Sequence, residues 1–127
     1  MELVVGLRGQ VQVVVEEGDT AVRLGSGDVA VLGTPRLLAL AEAATVKAVA
    51  SRLGEGRTSV GTRVELEHRA ATPTGARVAV TAELRDVDGT RLVFGFEAVD
   101  ERGTVVGKGR IERVVVDRER FLARIAR

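Results

Sequence analysis

His68 is the only histidine in a chain of 127 residues that also lacks cysteine, tyrosine and tryptophan. Any imidazole chemistry therefore runs through one residue, while thiol nucleophiles, thiolate zinc sites and multi-histidine metal centres are excluded. If Ser59 to Ala71 is a strand, alternation puts Val60, Thr62, Val64, Leu66, His68 and Ala70 on one face. Ser59, Gly61, Arg63, Glu65, Glu67 and Arg69 fall on the other, so the histidine travels with the apolar set. Glu42 is out of place in the same way. On a helix turning about 100° per residue it lies inside the stripe of Leu38, Val46, Val49 and Leu53, away from Arg36, Lys47 and Ser51. A carboxylate there must border a cleft, find a partner or take up a proton. An acid and an imidazole, each on the face that meets the other's element, are the materials of general acid–base or nucleophilic catalysis. The plainer readings are a histidine satisfied in the core and a glutamate reaching water at the stripe's edge. Thr34 reads most simply as a helix cap. Gly61, in a charged strand face, marks a bulge or a close approach.

The elements that must position these residues follow from propensity and turn chemistry. Thr34-Pro35 opens a helix, proline suiting the first turn, and the Ala/Leu-rich run continues to about Leu53 before Gly54-Glu55-Gly56 stops it. Gln10–Glu17 is strand-like and ends at Gly18-Asp19; Gly25-Ser26-Gly27-Asp28 is a loop. Ser59–Ala71, Arg77–Asp86, Arg91–Asp100 and Thr104–Val116 are long β-like runs. They are separated by Thr72-Pro73-Thr74-Gly75, Asp88-Gly89 and Asp100-Glu101-Arg102-Gly103, which predicts an antiparallel meander. Asp117 to Arg127 predicts a short amphipathic helix docking through Phe121, Leu122 and Ile125. The whole is an α+β chain in which a curved antiparallel sheet of about five strands wraps one long helix. No repeat or linker divides residues 1–127, so a single domain is expected.

Composition narrows the function further. With 19 basic against 18 acidic residues and 2% aromatic content, the chain has neither the field to gather phosphates nor the rings to stack bases, so nucleic acid is not an expected partner. No apolar run is long enough for a membrane span, and Met1-Glu2-Leu3-Val4-Val5 is no leader, so a cytoplasmic location is expected; the absence of cysteine suits it. Gly25-Ser26-Gly27 lacks the spacing and lysine of a phosphate loop, and no Gly-x-Ser-x-Gly elbow is present.

The sequence resembles the hotdog fold, in its fluoroacetyl-CoA thioesterase-like family. Thr34-Pro35-Arg36-Leu37-Leu38-Ala39-Leu40-Ala41-Glu42 matches that family's threonine, seven residues, then glutamate on the central helix. Thr58-Ser59-Val60-Gly61-Thr62, followed by His68, is similar to its small-residue strand. Ala82–Gly89 with Arg91-Leu92 resembles its central hairpin, and Gly109-Arg110-Ile111-Glu112-Arg113 its last strand, with Arg110 where some members have histidine. The resemblance implies hydrolysis of a small or medium acyl-CoA thioester by Thr34, Glu42 and His68. Gly61 would lie near the substrate carbonyl, and Arg113 would contact substrate or coenzyme A. It implies no metal or other cofactor, and a homodimer or dimer of dimers with sites at the interface. This chain has no aromatic residue before Phe94, where the fluoroacetyl-specific member carries a bulky lid, so a general acyl-CoA thioesterase is the reading adopted. The alternative is a domain that binds acyl-CoA without turnover. A hotdog hydratase would need Asp and His in a different motif.

Overall fold

The structure, a computed structural model, describes residues 2–126. Strand β1 (Arg8–Val14) leads through a short 3-10 turn and helix α1 (Ala21–Leu24) to the central helix α2 (Thr34–Val49). Strands β2 (Arg57–His68), β3 (Arg77–Asp88), β4 (Arg91–Asp100) and β5 (Val105–Asp117) and helix α3 (Arg118–Ile125) follow. All five strands form one antiparallel sheet in the order β1-β3-β4-β5-β2, with α2 across its concave side. This is the hotdog architecture, and no helix among the described residues is long and apolar enough to cross a membrane.

The predicted meander holds for β3, β4 and β5 only. Strand β2 pairs with β5, not with β3, and forms a sheet edge. Thr72-Pro73-Thr74-Gly75 does turn, with Gly75 at φ +90°, but it turns within a crossover. That crossover docks near the start of α2, where the Leu32 N–H donates to the Thr72 carbonyl at 2.8 Å. Three strand spacings, about 14 Å, lie well within the reach of the eight linking residues. The Asp-Gly signal is a true hairpin: Gly89 sits at φ +62° and Asp88 pairs with Arg91.

Helix α2 buries Leu37, Leu40, Ala41, Ala44, Thr45, Ala48 and Val49. This face is rotated from the one predicted through Leu38 and Val46, because β1 approaches so closely that only small residues fit. A Cβ on Gly9 would run into the backbone of Ala44 and Ala48. Val46 is left 44% exposed and Leu38 half-buried. The helix tightens into a 3-10 turn at Ala50–Arg52 before Gly54, at φ +82°. Two apolar clusters fill the space beneath it, one around Phe96, Val80 and Ile111 and the other around Phe94, Leu84 and Leu92.

Helix α3 forms with Asp117 as its cap, accepting from the Arg120 N–H at 2.9 Å. Of its predicted docking face, Phe121 is half-buried while Leu122 is 53% and Ile125 61% exposed.

Candidate active site

Helix α2 begins one residue earlier than a threonine cap would require. Gly33 holds the extended cap position (φ −78°, ψ 144°) and has no side chain to offer, while Thr34 is already helical. The threonine hydroxyl is thereby free, and its Oγ1 is hydrogen-bonded to Nδ1 of His68 at 2.8 Å. Arg36 and Leu37 send their N–H groups to the Gly33 carbonyl, and Pro35 has none. The Thr34 N–H is the first-turn donor that has no partner among the described residues.

His68 closes β2, opposite Gly107 of β5. Its Nε2 is buried and accepts or donates no hydrogen bond. Burial lowers the imidazole pKa below its ordinary value, with the Ala70 backbone acting in the opposite direction, so the ring is neutral at pH 7. A hollow of about 330 Å³ opens beside this pair, between the segment leading into α2 and the end of β2.

Glu42 lies eight residues further along α2, about 12 Å by helical rise. It does not meet Thr34 or His68. Its Oε2 is 3.4 Å from an Arg113 Nη1, and its side chain is 38% exposed. Arg113 is the buried partner of this pair, at 6% exposure. Its Nε donates to Ser59 Oγ at 2.8 Å and its Nη2 to the Ser59 carbonyl at 3.0 Å. Burial lowers the guanidinium's pKa and the Glu42 charge opposes that shift. The resemblance implied that Arg113 contacts substrate or coenzyme A; in the structure its donors are directed at Ser59 and Glu42.

Gly61 stands opposite Arg113 in the ladder, and a Cβ there would lie 2.7 Å from Glu42 Oε2. The sequence left Gly61 as a bulge or a close approach by a ligand; in the structure Glu42 lies against it and a register shift follows it. The strand alternation read from the sequence fails at the next residue. The β2–β5 register shifts between Gly61 and Arg63, leaving Thr62 as a bulge whose hydroxyl donates to the Glu112 carbonyl at 3.2 Å. Ser59 and Gly61 therefore share the inner face with Val64, Leu66 and His68, as their partners Val115, Arg113 and Ile111 show by their burial.

Sequence reasoning missed Ser59 as the partner of Arg113, since unbroken alternation assigned it to the charged face. Arg113 could have been found without any resemblance. It shares strand parity with Ile111 and Val115, the same signal of a polar group among apolar ones that singled out His68.

Comparison with known proteins places this site in a family. Residues 15–119 match the family model of FlK, the fluoroacetyl-CoA-specific thioesterase. The fluoroacetyl-CoA thioesterase of Streptantibioticus cattleyicolor is 43% identical over 98 residues, covering 75% of this chain and 68% of that one. A crystal structure of the fluoroacetyl-CoA thioesterase FlK superposes with a TM-score of 0.89 at 37% identity, over 98% of this chain and 96% of the other. A hypothetical protein of Thermus thermophilus, described as a thioesterase superfamily member, has a TM-score of 0.89 at 29% identity, over 96% and 90%. With the family model matched over most of the chain and a relative 43% identical, this protein belongs to the FlK family of hotdog thioesterases.

Proposed function

We propose that the protein hydrolyses acyl-CoA thioesters to the free acid and coenzyme A, with Thr34, His68 and Glu42 as its catalytic groups. The observation that carries this reading is the Thr34–His68 hydrogen bond beside an open hollow at the start of α2. The unpartnered Thr34 N–H and the positive end of the helix dipole receive the developing oxyanion of the thioester carbonyl. Neutral His68 takes up the proton released by the attacking water and, as imidazolium, returns it to the coenzyme A thiolate sulfur. The Glu42 carboxylate, held on one oxygen by Arg113, either attacks the carbonyl carbon to give an anhydride that water then opens, or takes a proton from the attacking water. Single turnover in ¹⁸O water tests the first route: label in the Glu42 carboxyl shows an anhydride that water opened at the enzyme's own carbonyl carbon.

Roughly 12 Å of helix between Thr34 and Glu42 is too far for both to touch one carbonyl, so the site is completed by a second copy of the chain. The strand nearest Glu42, β2, is a 12-residue edge, and Val46 and Val64 beside it are 44% and 42% exposed. A two-fold pairing of β2 edges covers this apolar stripe and sets Glu42 of each protomer against Thr34 and His68 of the other. The chain functions as a homodimer, alone or as a dimer of dimers, in the cytoplasm where acyl-CoA is made and used.

Complementation tests both parts. Glu42→Ala and His68→Ala proteins are each expected to be inactive on acyl-CoA; mixed and re-annealed, they regain about one quarter of wild-type activity, because half the dimers carry one intact site of two. No recovery would mean that the site is built within one chain. Full rates in both variants would remove the site.

A further inference from the structure

The hollow beside Thr34 and His68 has a chemistry of its own. Its lining includes Ala21, Val29, Val31, Leu32, Ala70 and Ala71, all aliphatic, and no carboxylate. The hollow at the other end of α2 is instead lined by Glu2, Arg52 and Arg57 among others, and a third, at the β4–β5 turn, by Asp100, Glu101 and Arg102. Besides the two catalytic groups, the polar residues facing it are Ser26 and Arg69, and Arg69 is already held by Glu67 at 2.9 Å. At about 330 Å³ it is at the lower end of small-ligand sites, far larger than a two-carbon group requires. The segment that bounds it also leaves apolar surface in water: Val22 is 48%, Leu24 42% and Val29 57% exposed. No other stretch of a few residues in the described chain concentrates three such aliphatic side chains.

We propose, resting on the thioesterase reading above, that this hollow is the acyl pocket and that it selects aliphatic acyl groups of several carbons over acetyl-sized and over charged ones. The pantetheine arm of coenzyme A carries two amides, for which an aliphatic lining offers no hydrogen bonds, so the arm lies on the other side of the carbonyl. An alkyl chain needs no partner. An acetyl group leaves most of the hollow to water against aliphatic walls. A dicarboxylic acyl group brings a second carboxylate to a site whose one cation is engaged. Each methylene that enters leaves water and raises kcat/KM about fourfold until the far wall is reached.

The test is thiol release from acetyl-, butanoyl-, hexanoyl-, octanoyl- and succinyl-CoA, with calorimetric titration of the matching S-alkyl-CoA thioethers, which cannot be hydrolysed. Val29→Phe and Ala71→Phe place bulk at exposed lining positions where the core is not disturbed. In the wild type, kcat/KM climbs about fourfold per methylene from acetyl to a maximum, with succinyl below butanoyl. Both variants move the maximum to shorter chains. A profile that is flat or highest at acetyl or succinyl, or one that neither variant moves, overturns the proposal while leaving hydrolysis intact. Absence of thiol from every ester, with thioether affinity still rising with chain length, removes hydrolysis and keeps the pocket.

Discussion

The two ends of α2's functional stretch hold their reactive groups by opposite means. At the helix start, Thr34 and His68 are joined by a hydrogen bond next to an aliphatic hollow, with a ring nitrogen left unpartnered. Two turns on, Glu42 is half of an ion pair whose other half is buried and tied twice to Ser59. The first arrangement suits a group that must gain and lose a proton, since burial without a counter-charge keeps imidazole neutral and ready to exchange. The second holds a carboxylate in place, because a buried guanidinium can satisfy itself only where its partners are. One end presents a ring with an unpartnered nitrogen and the other an anchored ion pair.

Breaking the fixed-charge end has the largest expected effect. Glu42→Gln keeps shape and removes the charge, and kcat should fall by roughly 10³-fold or more in a steady-state thiol assay. Glutamine retaining more than a tenth of the rate would show that the carboxylate is not the reacting group. His68→Gln removes the proton carrier and should cost roughly 10²-fold in kcat with little change in KM. Gly61→Ala adds one methyl against the Glu42 carboxylate at a position of ordinary backbone conformation. Activity should drop about tenfold through misplacement, and chemical denaturation should show stability within about 0.5 kcal/mol of wild type.

The smallest effect distinguishes the two ends by pH. His68 titrates below its ordinary value in the folded protein, so between that value and pH 6.5 the unfolded chain binds a proton that the native one does not. Stability is therefore full above about pH 6.5 and declines as pH falls through the lowered native value. His68→Gln should flatten that slope in urea unfolding at pH 7.5, 6.5 and 5.5, whereas Glu42→Gln should leave it. An unchanged slope in the histidine variant would place the proton uptake elsewhere.

Much of this could be read from residue order. Glu42 and His68 stood out by period as polar groups among apolar ones, whereas Thr34 read as a helix cap, a place that Gly33 takes, and joined them only through the family resemblance; the long strands and helix were legible because their periods are clean. The partition of the three was not: α2 puts Thr34 and Glu42 two turns apart, which is visible in the count of residues between them but matters only once each partner is known. Arg113 entered as a ligand contact through the family resemblance alone, and its ties to Ser59 and Glu42 were not foreseen. Its burial depends on Ser59 facing inward, and that depends on the irregularity in β2. The pairing of β2 with β5 was hidden for a related reason, since Thr72-Pro73-Thr74-Gly75 turns the chain equally well in a hairpin or a crossover. The rotation of α2 came from Gly9, whose missing side chain draws β1 onto Ala44 and Ala48.

The extra residue at Thr62 has an arithmetical consequence. Gly61 and His68 are separated by an odd number of positions, which on an unbroken strand assigns them to opposite sides; the inserted threonine restores their parity. Loss of Thr62 itself would leave six positions on an unbroken strand and keep both residues on the inner face, whereas loss of one residue between Arg63 and Glu67 with the bulge kept would turn His68 to the solvent side. The strand between its glycine and its histidine can therefore shorten by one only where the bulge goes with the residue, and otherwise holds the two on one side only by even steps.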